Sequence, residues 1–505
     1  MQDALKRLKE KDREIMLLEH ITALLQWDYE TKMPPQGLAE RSQQIVLLDS
    51  MIHKKLSDPE IGRILEDLGA DDSSPGGSAD LDPVQQGMVR SYFRENRKSR
   101  LLPSSWVKEF SEVTSQAHPA WVQARRENRF SDFLPWLEKI VRLCRDKADL
   151  FGYQEHPYDP LLDEFEPGMT TEAVDREFSQ LRQELPPLAE EIIAAGYPDD
   201  AFLFLDYEKE KLEAFGTEIL RDMGYDFQCG RMDESVHPFT TAVGQHDVRL
   251  TTRYTEPSAG DALFSIVHEG GHGLYEQQAR SGDAAGTRNG SGASQAMHES
   301  QARLWENMVG KSRAFWEYYY PRFRELFPRQ TAAVSLDEFL RGITKVSPSC
   351  IRVNADEVTY SLHVVLRFTL EKALITGDLV PADLPGAWNE QMKLLVGITP
   401  PNDVQGVLQD MHWAAGLIGY FPTYALGNLY GAQLYESARA EIPGMDESFR
   451  RGDFSQLRGW FDAKVYRHGA SRQAPEILEA AAGKPLDASC FIQYLRQKYR
   501  DLLAV

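Results

Sequence analysis

The sequence has no apolar run approaching the 18 or so residues that a membrane-spanning helix needs. That excludes a helical membrane protein. The opening residues, Met1 to Asp12, are crowded with charge (Asp3, Lys6, Arg7, Lys9, Glu10, Lys11, Asp12) and lack the apolar segment of a secretory signal. A cytoplasmic location is the expectation. Cysteine is scarce: Cys144, Cys229, Cys350 and Cys490 stand far apart without paired spacing, which excludes a disulfide frame and a thiolate metal centre. Positive charge is in deficit, Lys+Arg 56 against Asp+Glu 77 for a net −21, so nucleic acid is not an expected partner. No repeat of fixed period is present. What is left is a globular chain of 505 residues, long enough to bury a large core.

Most of that chain reads as helix by apolar period. Leu17, Leu18, Ile21, Leu24 and Leu25 make one apolar face, and Pro34-Pro35 closes that segment. A second helix starts at about Leu38, and Leu68 to Pro83 is a loop. Helices continue to about Gly224, broken near residues 157–167 and at Pro186-Pro187. After residue 300 the spacing predicts helices over about 335–345, 355–376, 382–396, 408–419, 453–466, 474–482 and 487–503. Only Asp247 to Thr255 reads clearly as strand, with Val248, Leu250, Thr252 and Tyr254 alternating with polar partners. A sheet there could add an edge to an extended peptide, or be a structural hairpin with a solvated polar face. The fold class is mainly α, with a small sheet just ahead of the most informative stretch.

That stretch is Val267-His268-Glu269-Gly270-Gly271-His272-Gly273-Leu274. Ser258 can cap the helix that carries it, and Leu263, Ile266, Val267 and Leu274 supply its apolar stripe. Residues four apart share a helix face, so His268 and His272 can offer ring nitrogens to one metal ion. Glu269 is turned about 100° away and can act on a water beside the pair. The plain alternative is two surface histidines flanking a glutamate. Three glycines in four residues argue against it, since each costs about 1 kcal/mol relative to alanine in a helix interior. Such local conflicts mark functional sites, and bare backbone lets a substrate or second helix approach. Twenty-seven positions after His272, Glu299 opens another helix beyond a Gly/Ala/Ser/Asn/Asp loop, Ser281 to Ser294. A returning helix can bring Glu299 to the metal as third ligand, the His₂Glu set of catalytic zinc sites, with cobalt or manganese able to substitute. Residues 230–310 are the expected metal-site core.

Two further groups stay open on the residues alone. Arg352, ahead of Asp356 and Glu357, has a fork that matches a carboxylate, but from spacing an ordinary ion pair is the simpler reading. His412, Tyr420 and Tyr424 could donate to a developing oxyanion, or be core aromatics.

An ordered series of motifs decides between these readings. His237-Pro238-Phe239, Asp247-x-Arg249-x-Thr251, His268-Glu269-x-x-His272, His298-Glu299-Ser300-Gln301, Ile351-Arg352-x-x-Ala355-Asp356 and Gly406-x-x-Gln409-Asp410-x-His412-Trp413 run in that order, and Trp27-Asp28-x-x-Thr31-x-Met33-Pro34 precedes them. The series resembles the thermostable carboxypeptidase family of zinc metallopeptidases, the carboxypeptidase Taq type, across essentially the whole chain. Gly286 to Ala296 departs from the family's pattern. The resemblance implies a saddle-like helical fold with a deep cleft, a single peptidase domain over residues 1–505 with N-terminal helices over 1–67 that could cover the cleft, and a homodimer. It implies one Zn²⁺ per chain on His268, His272 and Glu299, with Glu269 as base. It implies that Arg352 engages the C-terminal carboxylate of a peptide, with His237, His412, Tyr420 and Tyr424 also binding substrate. The activity implied is release of single C-terminal residues with broad specificity. Two alternatives remain: an endo-acting oligopeptidase with the same zinc chemistry, and a non-enzymatic helical scaffold with a structural metal. An amidated peptide separates the first, since an endopeptidase still cuts it. Glu269 speaks against the second, because a structural zinc is closed by four ligands and needs no base.

Overall fold

In the computed structural model, residues 1–505 are described except Pro198, Thr255–Pro257 and Ala504–Val505. The chain forms two compact units, each assembled from three separate segments. The first comprises Met1–Arg100, Asp199–Ile343 and Leu434–Lys484; the second comprises Leu101–Pro198, Thr344–Gln433 and Pro485–Val505. Both are predominantly helical, as the apolar periods predict. No helix among the described residues is long and apolar enough to cross a membrane.

In the first unit the labelled elements are α1 (Gln2–Thr31), α2 (Leu38–Leu56), α3 (Lys209–Met223), β1 (Gly230–Glu234), β2 (Thr240–Gly244), β3 (Asp247–Thr252), α4 (Ala259–Ala279) and α5 (Gln295–Arg303). The sheet has the order β1-β3-β2, with β3 parallel to β1 and antiparallel to β2. The strand expected over 247–255 is thus the central one and ends at Thr252; Thr255 lies outside the described residues. Val248 and Leu250 point into the core.

The motif helix α4 is capped as expected: the Ser258 hydroxyl accepts from the Gly260 N–H. It is boxed in by three neighbours, and each glycine meets one of them. A Cβ on Gly270 would strike the Leu220 side chain on α3. One on Gly273 would lie 2.7 Å from Leu250 of β3. One on Gly271 would lie 2.6 Å from the Gln301 carbonyl oxygen and 2.8 Å from the Ala302 Cα, main-chain atoms of α5.

The α1 helix buries Ala4, Leu8, Ile15 and Trp27, whereas Leu17, Ile21 and Leu24 of the expected apolar face stand exposed. Trp27 fixes its C-terminal end to the sheet: the guanidinium of Arg249 lies 4.3 Å from the indole centroid and that of Arg231 5.3 Å. Arg249 is itself held by Asp247 through two bonds of 2.9 and 2.7 Å. The loop between α4 and α5 is tied down by Arg288, whose half-buried fork binds Glu19 on α1 at 2.7 Å and Glu95 at 2.9 Å, while its main-chain N–H faces Asp12.

In the second unit the helix labelled α6 (Tyr360–Thr376) is central. It starts at Tyr360 rather than at residue 355, because the Asp356 carboxylate takes the N–H groups of Val358 and Thr359 and holds the chain in a turn. The helix Thr171–Ala194 runs unbroken through Pro186-Pro187, contrary to the expected break. Leu181 and Leu185 before the pair, and Leu188 and Ile192 after it, are all buried, and that continuous face outweighs the lost backbone bonds. The helix expected over 408–419 is absent; the segment is a chain of turns in which Gly416 and Gly419 are left-handed. The helix lies further on, at Pro422–Glu441.

Alanine gains about 1 kcal/mol over glycine as a helix former. At Gly271 the obstacle is backbone, which cannot turn aside, and at Gly270 it is a leucine that can. Gly271→Ala is therefore expected to lower the Tm well below that of Gly270→Ala. Thermal denaturation of the two variants checks this; equal melting would mean that α5 does not depend on the bare backbone at Gly271.

Candidate active site

His268 and His272 project from one face of α4 toward Glu299, which lies on α5. The Oε2 atom of Glu299 is 3.8 Å from Nε2 of His268 and 3.7 Å from Nε2 of His272. One donor atom from each residue lies within 4.8 Å of the others, and among the described residues no other trio of His, Cys, Asp or Glu meets that spacing. The donor chemistry suits a divalent metal: two imidazole nitrogens and one carboxylate oxygen converge, as in a catalytic zinc site with room for a further ligand.

The remaining nitrogens are occupied elsewhere, which sorts the two faces of each ring. Nδ1 of His268 is 2.9 Å from Glu306 Oε2, and Nδ1 of His272 is 2.5 Å from Nδ1 of His298. Glu306 reaches His268 from a π-helical turn, Leu304–Val309, that continues α5. Wide turns of this kind recur at functional sites. Arg303 and Lys311 flank Glu306 at 3.3 and 3.5 Å, and Arg303 also donates to Glu299 Oε1 at 2.7 Å. Burial, reinforced by His298, His268 and Arg303, holds His272 well below the usual imidazole range, which favours the neutral ring, the form able to bind a metal.

Glu269 is buried, and its Oε2 accepts from the Thr240 hydroxyl at 2.6 Å. Burial raises its carboxyl above the ordinary value, with His268 and the Thr240 bond opposing. That direction suits a general base working near neutral pH. The sheet thus reaches the site through Thr240 at the start of β2. His237 stands apart, exposed in the segment before β2, where its carbonyl accepts from Ser235 Oγ at 2.7 Å.

Arg352, His412 and Tyr424 gather within the second unit around Asp410. Arg352 is buried; it donates to Asp410 Oδ1 from Nη2 at 3.0 Å and to the Tyr360 hydroxyl at 2.9 Å. Its guanidinium lies 4.6 Å from the Tyr424 ring centroid. Arg367 binds the other oxygen of Asp410 at 2.5 Å, so one carboxylate serves two guanidinium groups. Nε2 of His412 is 3.3 Å from the Tyr424 hydroxyl, and burial, opposed by Asp410 and aided by Arg352 and Arg367, brings this histidine down to about 4. Tyr420 packs beside Tyr424 at 5.3 Å between ring centroids. The turns that carry these groups hang on Glu371 of α6, whose carboxylate accepts from Trp413 Nε1 at 2.8 Å, the Tyr158 hydroxyl at 2.5 Å and the Gly419 N–H at 3.1 Å.

The family model for "Carboxypeptidase Taq (M32) metallopeptidase" matches residues 7–499. The chain belongs to that family. It is 38% identical over 511 residues to "Thermostable carboxypeptidase 1" of Thermus thermophilus, covering 99% of each chain. It is also 38% identical to "Carboxypeptidase 1" of Bacillus subtilis, over 95% of each. The M32 carboxypeptidase crystal structure from Deinococcus radiodurans R1 superposes with a TM-score of 0.95 at 42% identity, covering all of both chains. The chain is therefore a metallocarboxypeptidase, a hydrolase acting on peptide bonds.

The spacing singles out His268, His272 and Glu299, which the fold brings together in the carboxypeptidase, and Glu269, which it buries. It passed over Thr240, Glu276 and Glu306. Glu306 follows Glu299 by two helical turns, a same-face signal that was available; Thr240 and Glu276 gain their partners only through tertiary packing.

Burial pushes Glu371 up to about 7 despite its three donors. A carboxyl raised on folding contributes stability that is whole below its ordinary value of 4.5 and lost as pH rises to about 7. Over that interval the native protein is expected to lose roughly 1.4 kcal/mol of this contribution per pH unit. Glu371→Gln lacks the titrating group, so the stability gap between native and variant should narrow from pH 4.5 to 7 and then level off. Parallel denaturant titrations read this directly, and a gap that widens with pH contradicts it.

Proposed function

We propose that His268, His272 and Glu299 hold the catalytic metal, Zn²⁺, with Co²⁺ or Mn²⁺ able to replace it, and that the enzyme removes single residues from the free C-terminus of peptides. The observation that carries the reading is the convergence of two Nε2 atoms and one carboxylate oxygen beside a buried glutamate. Bound there, the ion acts as a Lewis acid toward the scissile carbonyl and the attacking water. Glu269 takes the proton of that water and delivers it to the leaving amine nitrogen. Thr240 holds the Glu269 carboxylate by its hydroxyl. His412 with Tyr420 or Tyr424 donates to the oxyanion, and His237 contacts the substrate. Arg352 receives the terminal carboxylate. The sharing of Asp410 between Arg352 and Arg367 supports that role, because it leaves positive charge in excess of its buried counter-charge. The exposed Leu17, Ile21 and Leu24 of α1 and Val46, Leu47 and Met51 of α2 supply apolar surface of the kind a homodimer buries, and the enzyme works in the cytoplasm.

His268→Ala and His272→Ala should lose metal and hydrolysis together. Glu269→Gln should retain metal by elemental analysis while kcat falls about 10²–10⁴-fold. A Glu269→Gln variant with near-native turnover would assign the base elsewhere.

Arg352→Ala should lower kcat/KM on free-acid peptides by roughly 10–100-fold, the worth of a charge-assisted bond of about 1.5–3 kcal/mol. Arg352→Lys should restore only part, since an ammonium cannot make two parallel bonds. The loss should shrink on C-terminally amidated peptides. A variant that melts early yet keeps the native free-acid to amide ratio would make Arg352 an ion-pair residue only.

A further inference from the structure

Each ligand histidine has one nitrogen to give and one to be held by. For His268 the holding group is a carboxylate in direct contact, Glu306. For His272 it is a second imidazole, His298, and the carboxylate stands beyond: His298 Nε2 is 2.9 Å from Glu276 Oε1. We infer that His298 is a positioning residue that links His272 to the charge of Glu276 and so fixes the tautomer, orientation and donor strength with which His272 presents Nε2. This rests on the reading of His268, His272 and Glu299 as metal ligands.

The hydrogens can be counted along the chain. If the Nε2 lone pair of His272 is kept for the ion, the neutral ring carries its hydrogen on Nδ1. That hydrogen points at Nδ1 of His298, which must accept. A neutral His298 then carries its own hydrogen on Nε2, facing Glu276. The opposite assignment sets two N–H groups against each other and turns a nitrogen lone pair toward a carboxylate. The line therefore runs one way, from ligand to carboxylate.

Its far end is built to stay fixed. Glu276 is 6% exposed, and it also accepts from the Gly292 N–H at 3.0 Å and from Arg280 Nε at 3.0 Å. Arg280 in turn donates to His20 Nε2 of α1 at 3.2 Å. The His298 ring packs on Tyr275 at 5.3 Å between centroids, and a Cβ on Gly292 would come within 2.5 Å of its Cδ2. The glycine thus leaves room for the ring where the loop crosses it. A carboxylate behind an imidazole raises the basicity of the ligand nitrogen, and removing such partners typically weakens metal binding 10–100-fold.

Three variants of the full chain separate this role from simple packing. His298→Phe keeps the ring and removes both nitrogens. His298→Asn keeps an acceptor near Nδ1 but cannot reach Glu276. Glu276→Gln keeps an acceptor and removes the charge. The readouts are zinc affinity by competition with a chromogenic chelator, the rate of zinc release to it, and the melting of the chelator-stripped proteins. His298→Phe should bind zinc about 10–100-fold more weakly, with His298→Asn and Glu276→Gln in between and the stripped proteins melting with the native one. If His298→Phe does not fold, the other two carry the test. Native zinc affinity and release in the variants that fold overturns the inference. His272→Ala separates the two failures: if it too retains zinc, the ligand assignment falls, and if it alone loses zinc, only the role of His298 does.

Discussion

A helix bearing two histidines can take a third ligand from a neighbouring helix only if the backbones approach closely enough for a glutamate side chain to bridge them. At Gly271 they do, with the main chain of α5 where any side chain would have stood. The rest of the site follows from that contact. It sets Glu299 opposite both Nε2 atoms, and the π-helical turn after α5 carries Glu306 to the back of His268. Gly270 and Gly273 let α3 and β3 close on the other sides of α4. Three residues that are poor helix formers are thus the condition for a well-packed one, with tertiary contacts overriding propensity.

Where function and local pattern coincide, the residues could be read in advance. The i, i+4 histidines, the cap at Ser258, the loop from Ser281 to Ser294 and the strand at Asp247 are each local signals, and each stands where the spacing places it. The readings that failed depended on partners distant in sequence. Pro186-Pro187 is carried through by a buried face that a breaker rule does not weigh. The turns at 408–419 are held by Glu371, 42 and 48 residues upstream of the two groups it binds there, and by left-handed glycines that an apolar count mistakes for helix. The apolar face of α1 at Leu17, Ile21 and Leu24 is present but exposed, because Ala4, Leu8 and Ile15 on the opposite side are the ones buried. For Arg352 the sequence offered an ion pair or a carboxylate anchor; its pairing with Asp410 across 58 positions was beyond any spacing argument.

Charge that is withdrawn from solvent is paired around the metal helix. Arg288 closes the loop between α4 and α5 by binding Glu19 and Glu95, and the same loop meets Glu276 through Gly292. A segment that reads as plain linker is held at several points along its length. Its small residues let it pass close to other groups, and its one arginine supplies the fastening. These half-buried pairs hold the loop at defined points, so they act as constraints on its geometry.

The division of the chain into two units has a consequence for its synthesis. The polypeptide passes between them five times, and the last segment of the first unit ends at Lys484, within sight of the C-terminus. The second unit also takes in residues 485–505. A chain emerging from the ribosome cannot finish one unit before starting the other, although domains made of continuous sequence commonly fold in turn as they emerge. The histidines of α4 therefore wait, through the synthesis of some 200 further residues, for the last of the segments that enclose them. That is a long interval in which unfinished apolar faces stay open, the condition under which larger chains are prone to aggregate.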